Sequence, residues 1–484
     1  MKKLVTLLLV VVMLLSCVSF AAATEAPVKL VWWLFTAAEA PLDWPEVEAK
    51  LNEISAREIG VECEFRWLDT NQVATAMQTG EYFDITFTCD WYNDFATNAL
   101  TGMFLDITDL VHEEAAPMVA TMLDNIWAGS YIDGKLYAVP HMKDYAMEIF
   151  WIMDTEYFID EKGLEADHFI TFEGIEPYFE MYKNDYPDDY PFKASRAGMT
   201  SWNNCLADWI SREYLIGLDW AAKGTAEETT VKFALEVPAF AERLQLLHKW
   251  YELGYINPDA AVTETMTRPN AGVVQSGQGW FGAETVWSNA RQRASYISRF
   301  EGPYLSTASL RGSMTSISAT TPYAKEAMRL INLMNTNEEY RTLARFGVED
   351  KHYEVVEPGI VKRTELGNTN MSLAAYTQGS YVVGPIEASA FDAVPADPNM
   401  WQNVWAGYAD AITSAALGFT FDILPVETQC LAMAAVWADY MYEAQTGTSN
   451  PDEMLPKIIA EMEAVGMRDV IAECQAQLDA YLGK

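Results

Sequence analysis

The chain has 484 residues, too many for one ordinary hydrophobic core, and this length points to two or three domains. Half of it is hydrophobic (50%) and 21% is charged, a soluble globular composition. The formal net charge of −37 argues against nucleic acid or an anionic membrane surface as a partner and is accounted for by solubility alone.

Lys2 and Lys3 precede an apolar run from Leu4 to Leu15, the pattern of a secretion signal. The run is short for a bilayer, which takes about 20 apolar residues. Two exits stay open. Ala21, Ala22 and Ala23 offer a cleavage site that would remove residues 1–23. Leu14, Leu15, Ser16 and Cys17 resemble a lipobox, which would remove residues 1–16 and leave Cys17 as a lipid-bearing first residue. Either exit makes the mature chain extracellular or held at the cell surface. The six cysteines form no CxxC pair, so neither a disulfide framework nor a zinc site is expected, and buried free thiols are.

Val28–Phe35 (VKLVWWLF) is apolar on both alternating faces, as a covered central parallel strand should be. A helix follows, from Asp43 and Pro45 to Gly60. Val61–Trp67 (VECEFRW) alternates strictly, which suits a half-buried strand near a sheet edge. A short helix around Val73–Met77 stops at Gly80, and Asp84–Cys89 is a third strand. This opening is doubly wound α/β, and such sheets place ligands beyond the C-terminal ends of their strands. Those ends are Phe35–Glu39 and Asp90–Asp94. Next come an expected helix over Pro117–Trp127, the run GKLYAVP (Gly134–Pro140) and an apolar strand, Met147–Met153. Pro177–Pro191 reads as surface loop. Helices are expected over Pro238–Leu253 and Pro322–Met334, with a Gly-rich strand and turn over Gly272–Trp287. The last 60 or so residues carry helical stripes.

Gly80–Val111 (GEYFDITFTCDWYNDFATNALTGMFLDITDLV) and GKLYAVP resemble segments of the family 1 extracellular solute-binding proteins of ABC transporters. Ser318–Tyr340 resembles helices of that family's LplA-like lipoprotein subgroup. So do the run Gly347, Glu349, Lys351, His352, Tyr353, and Gly418–Gln429 and Gly466–Leu482 from a C-terminal region of unknown function. Asp350 departs from the subgroup, which more often has Gly there. The resemblance implies a two-lobed α/β fold of the periplasmic-binding-protein type (type II). Each lobe would be a doubly wound mixed sheet flanked by helices, with the ligand cleft between them. It implies an N-terminal lobe of residues 28–143 and 308–375, and a C-terminal lobe of 147–303 and 380–484 that includes the helical C-terminal region. Hinge crossings are expected near His141–Ala146, Tyr304–Ser313 and Ser372–Gly384. The lobes would close on ligand by hinge motion.

The 16 Trp and 24 Tyr residues suit the apolar faces of sugar rings, with carboxylates and amides beside them for hydroxyls. Trp33, Trp91, Tyr92, Trp202, Trp280 and Trp287 are aromatic candidates, and Asp90, Asn93, Asn203, Asn204 and Glu284 are their polar companions. An indole inside an apolar strand, as at Trp33, also suits a core. Trp91, with Asp90 and Asn93 beside it, favours the cleft. Gly277, Gly279 and Gly282 spell GxGxxG, but Trp280 and Phe281 fill the turn and argue against a dinucleotide. No HExxH or GxSxG occurs, and the acidic pair Asp188 and Asp189 is one among 69 acidic residues, so no catalytic group, metal or cofactor is expected. The expected role is capture of an oligosaccharide or similar polar solute for ABC permease subunits, by a monomer that binds no nucleic acid. An oligopeptide receptor of the same fold and a secreted carbohydrate-active enzyme are the alternatives.

Overall fold

The computed structural model describes residues 26–36, 39–371, 384–391 and 396–484. Cys17 and both expected processing sites lie outside them, as does most of the expected crossing at Ser372–Gly384.

In chain order the two main sheets use β1 (Val28–Phe35), β2 (Val61–Leu68), β3 (Ile85–Thr88), β4 (Val139–Pro140), β5 (Met147–Asp154), β6 (Val274–Gln278), β7 (Ser295–Leu305), β8 (Met314–Ile317) and β9 (Ile412–Thr413). The first sheet runs β2-β1-β3-β8-β4. The doubly apolar β1 lies between β2 and β3, parallel to both, and the alternating β2 takes the edge. β8 returns from far along the chain and pairs antiparallel with β3 and β4. The helix Trp44–Ile59 buries Trp44, Val47, Leu51 and Ile54 against this sheet and ends at Gly60 in the left-handed region.

The second sheet runs β6-β5-β7-β9. It is mixed: its three long strands are antiparallel and only the short β9 joins parallel. One face carries Trp151 against Phe172, Phe179 and Trp250. The same core continues into the C-terminal helices Glu427–Thr446, Pro451–Ala464 and Met467–Tyr481 through Cys430, Ile458, Met462 and Cys474. The chain is thus two-lobed α/β, with residues 141–146 and 306–313 passing between the sheets.

Several local expectations change. Residues 117–127 form no single helix. Ala116–Val119 is one turn, and a 3-10 segment starts at Asp124, yet Met118, Met122 and Ile126 are all buried. The spacing of four reflects a shared inward direction, which two short helical pieces supply as well as one long helix. Pro177 opens the helix Glu176–Asp185, because a first-turn proline gives up an N–H that has no intrahelical partner. That helix buries Phe179 and Tyr182, and only residues 186–191 of the expected loop lie outside it. Residues 386–387, expected in the C-terminal lobe, pair in parallel with Ile360–Arg363, while Glu387 and the Ala390 N–H also bond Asn289 of the helix Glu284–Arg291. Glu387 meets Arg363 at 3.2 Å. At Asp350, φ is 62°, so the turn keeps the conformation a glycine would supply.

Among the described residues no helix is long and apolar enough to cross a membrane, and no three His, Cys, Asp or Glu side chains cluster as metal ligands. Cys63, Cys89, Cys205, Cys430 and Cys474 are free and buried.

Candidate ligand-binding site

β1 and β3 end beside the start of β8, so three loops converge at one end of the first sheet. The loop after β3 is fixed to the lobe crossing. The Asp90 N–H donates to the Arg311 carbonyl at 3.3 Å, and Trp91 Nε1 donates to the Gly312 carbonyl at 2.9 Å. Phe35 meets Trp91 edge-on, with ring centres 5.1 Å apart. Trp91 remains 44% exposed, so its indole is oriented without being buried. Asp90 is also exposed, yet the protein around it crowds the carboxyl enough to raise its pKa to about 6, against the pull of Arg212 and Arg311.

Arg212 belongs to the other lobe. It sits in the turn between the strands Asp208–Ser211 and Ile216–Leu218, with its guanidinium 5.8 Å from the Trp209 ring centre. The strand Asp208–Ser211 packs against Thr307–Leu310, the turn that leads directly into Arg311 and Gly312. Glu213, next in the turn, has its carboxyl pKa raised by desolvation and then by Asp94 of the first lobe. Charged side chains from both lobes, with Asp90, Arg212 and Glu213 exposed, therefore approach one another at a gap between the lobes.

The base of this gap is the 141–146 crossing. His141 is buried, with Nδ1 2.7 Å from Ser313 Oγ and Nε2 2.7 Å from Thr315 Oγ1. Lys143 pairs with Asp144 at 2.8 Å, and Gln278 at the end of β6 donates to Asp144 at 3.0 Å. Trp405 Nε1 reaches the Lys143 carbonyl at 3.1 Å. Arg311 is buried and donates to the Gly129 carbonyl and the Thr420 hydroxyl, each at 2.7 Å.

Of the residues singled out in the sequence, Asp90 and Trp91 stand in this gap. Trp33 is 0% exposed and packs on Phe83 at 4.5 Å; in a strand covered on both sides either face is core. Tyr92 is buried and donates to the Leu68 carbonyl. Asn93 is buried at φ 47° and bonds Thr86 and Phe87, which shapes the loop from within. Trp202 is buried on Phe240. The Asn203 carbonyl accepts from Trp209, and half-buried Asn204 lies 3.8 Å from the Met147 sulfur at the start of β5. Trp280 is buried beside Trp401. Glu284 is buried and accepts the Gly282 N–H at the start of the helix Glu284–Arg291, where desolvation raises its pKa. Trp287 lies over β6, where a Cβ on Gly277 would come within 2.7 Å of its ring. The GxGxxG string thus makes room for an indole, because Gly277 and Gly279 both face Trp287. Arg212 escaped the sequence reading, since a lone arginine in a turn carries no local signal of what it faces.

Residues 415–483 match the domain of unknown function DUF3502. A carbohydrate ABC transporter substrate-binding protein of Streptococcus pneumoniae serotype 4 (strain ATCC BAA-334 / TIGR4) is 25% identical over 480 residues, covering 95% of this chain and 92% of that protein. Among solved structures, the N-glycan transport solute-binding protein NgtS of Streptococcus pneumoniae superposes with a TM-score of 0.82 at 22% identity, over 94% of this chain and 99% of that one. Its complex with Man1GlcNAc gives a TM-score of 0.78 at 22% identity, over 94% and 100%. Over nearly its whole length the chain therefore shares the fold of solved solute-binding proteins of this kind, and its C-terminal end matches DUF3502.

Proposed function

We propose that this protein is the extracellular capture component of an ABC importer, that it takes an oligosaccharide into the gap between its lobes, and that it hands the sugar to membrane permease subunits. The observation that carries this reading is the exposed, hydrogen-bonded Trp91 beside Asp90, at the point where the chain passes between lobes. An oriented indole supplies a stacking face for a sugar ring, and the adjacent carboxylate accepts from hydroxyls. The relative at 25% identity is named for carbohydrate transport, which supports the same class of solute. The protein works as a monomer outside the membrane and returns its ligand chemically unchanged.

A thermal-shift screen of the mature protein against neutral oligosaccharides and short peptides tests this. A ligand at 100 times its dissociation constant adds about 2.7 kcal/mol of stability. A sugar that stabilises the protein and is recovered intact is the expected result. Cleavage of the sugar, or stabilisation by peptides alone, would overturn the reading.

A further inference from the structure

Arg212 reaches the gap from the second lobe, and the first lobe's Asp90 and Trp91 reach it from the other side. The three are tied to one segment. The strand before Arg212 packs against Thr307–Leu310, while the Arg311 and Gly312 carbonyls that follow hold Asp90 and Trp91.

The nearby cations differ in what they have left to offer. Arg311 is buried, donates to Gly129 and Thr420, and lies 5.2 Å from the Phe95 ring centre. Lys143 is buried against Asp144. Arg212 is exposed, laid over Trp209, and among the described residues no acceptor takes its guanidinium N–H groups. The Asp90 carboxylate likewise receives no side-chain donor among the described residues. A guanidinium fork and a carboxylate near enough to feel each other's charge are complementary to a ring bearing adjacent hydroxyls, which both donate and accept. Asp94 and Glu213 lie close by, so among the described residues a carboxylated sugar would meet three carboxylates and one uncommitted guanidinium.

We propose that Arg212 and Asp90 form a cross-cleft pair that grips the hydroxyls of an uncharged sugar lying against Trp91. This rests on the capture reading above and names the polar contacts and the charge class of the ligand. Arg212 contributes from the lobe that must move, so its hydrogen bonds form as the lobes close.

The test uses the full mature protein and calorimetric titration. The probes are neutral oligosaccharides of mannose and N-acetylglucosamine, and mannuronate oligomers of matching length. Arg212→Met is expected to weaken the best neutral ligand by about tenfold or more, with only a small change in the melting temperature of the ligand-free protein because Arg212 is exposed. Arg212→Lys should fall between, since it keeps the charge and loses the fork. Mannuronate oligomers should bind wild type at least about tenfold more weakly than the neutral set. Wild-type affinity in Arg212→Met would overturn the pair while leaving capture intact. Tighter binding of mannuronates would overturn the charge class. Failure of every neutral oligosaccharide to bind wild type would remove the capture reading, and this inference with it.

Discussion

His352 Nε2 lies 2.9 Å from the Asp43 carboxylate, and the pair joins two parts of the first lobe that are 309 residues apart in the chain. The Val348 N–H donates to His352 Nδ1 at 2.8 Å, so the ring proton sits on Nε2 and a neutral imidazole suffices to donate to Asp43. Asn370 and Lys351 also donate to this carboxylate.

Those contacts, His352 first, then Asn370 and Lys351, lower the Asp43 pKa from 3.8 to about 2. A depressed carboxylate stabilises the fold above its unfolded pKa and loses that contribution as pH falls through the folded value. Asp43 should therefore stabilise the fold at neutral pH, with that contribution fading between about pH 4 and pH 2. Denaturation of Asp43→Asn and wild type at pH 7 and pH 2.5 checks this. Asp43→Asn should be less stable at pH 7, with the gap narrowed at pH 2.5; an equal gap at both would show that the carboxylate charge contributes nothing.

Asp90 carries the opposite sign. Its pKa is raised to about 6 by crowding, with Asp94 adding to the rise and Arg212 and Arg311 opposing it. A raised carboxyl costs stability as pH climbs from about 4 through 6. Asp90→Asn should therefore melt higher than wild type at pH 7.5 and level with it near pH 4. Sugar affinity should move the other way in wild type, weakening below pH 6 as the gripping carboxylate takes a proton. A flat affinity from pH 7.5 to pH 5 would take Asp90 out of the site.

Trp91→Ala removes the stacking face without opening a core, because the indole is exposed. Titration should give oligosaccharide affinity lower by up to about tenfold, given roughly 0.5–1.5 kcal/mol for the lost ring contact. The melting temperature of the ligand-free protein should shift little.

Gly277→Ala probes the Trp287 indole, which lies over β6. The added methyl would sit 2.7 Å from Trp287 Cη2 and 3.4 Å from Ile152, so the ring must move. Overpacking of this kind costs about 1–3 kcal/mol. Thermal unfolding should report that loss, and sugar affinity should stay at the wild-type level. A large loss of affinity would place Trp287 in the binding site.

The strands were legible because their burial patterns are local: β1 is apolar on both faces and is central, and β2 alternates and is the edge. The β3 end was legible too, because Asp90 and Trp91 follow a short apolar strand directly. Trp202 and Trp280 are buried, since a loop tryptophan in a large two-lobed chain often closes a core from outside the sheets, and Trp287 is half-buried on the helix Glu284–Arg291. Whether an indole faces Phe240, Trp401 or water depends on segments far along the sequence. Arg212 was illegible for a related reason: its significance lies in Asp90, on another lobe and 122 residues away.

β8 completes the first sheet only after the chain has built most of the second. A polypeptide emerging N-terminus first therefore holds the Ile85–Thr88 edge open, its amides unpaired, until Met314–Ile317 arrives. The first lobe is late to finish although it is early in sequence, and its core is sealed by the segment that also carries the Arg311 and Gly312 anchors of the binding loop. Assembly and competence to bind are thus reached in one step, and a fragment ending at Leu305 should exchange the β3 amides far faster than the whole chain does.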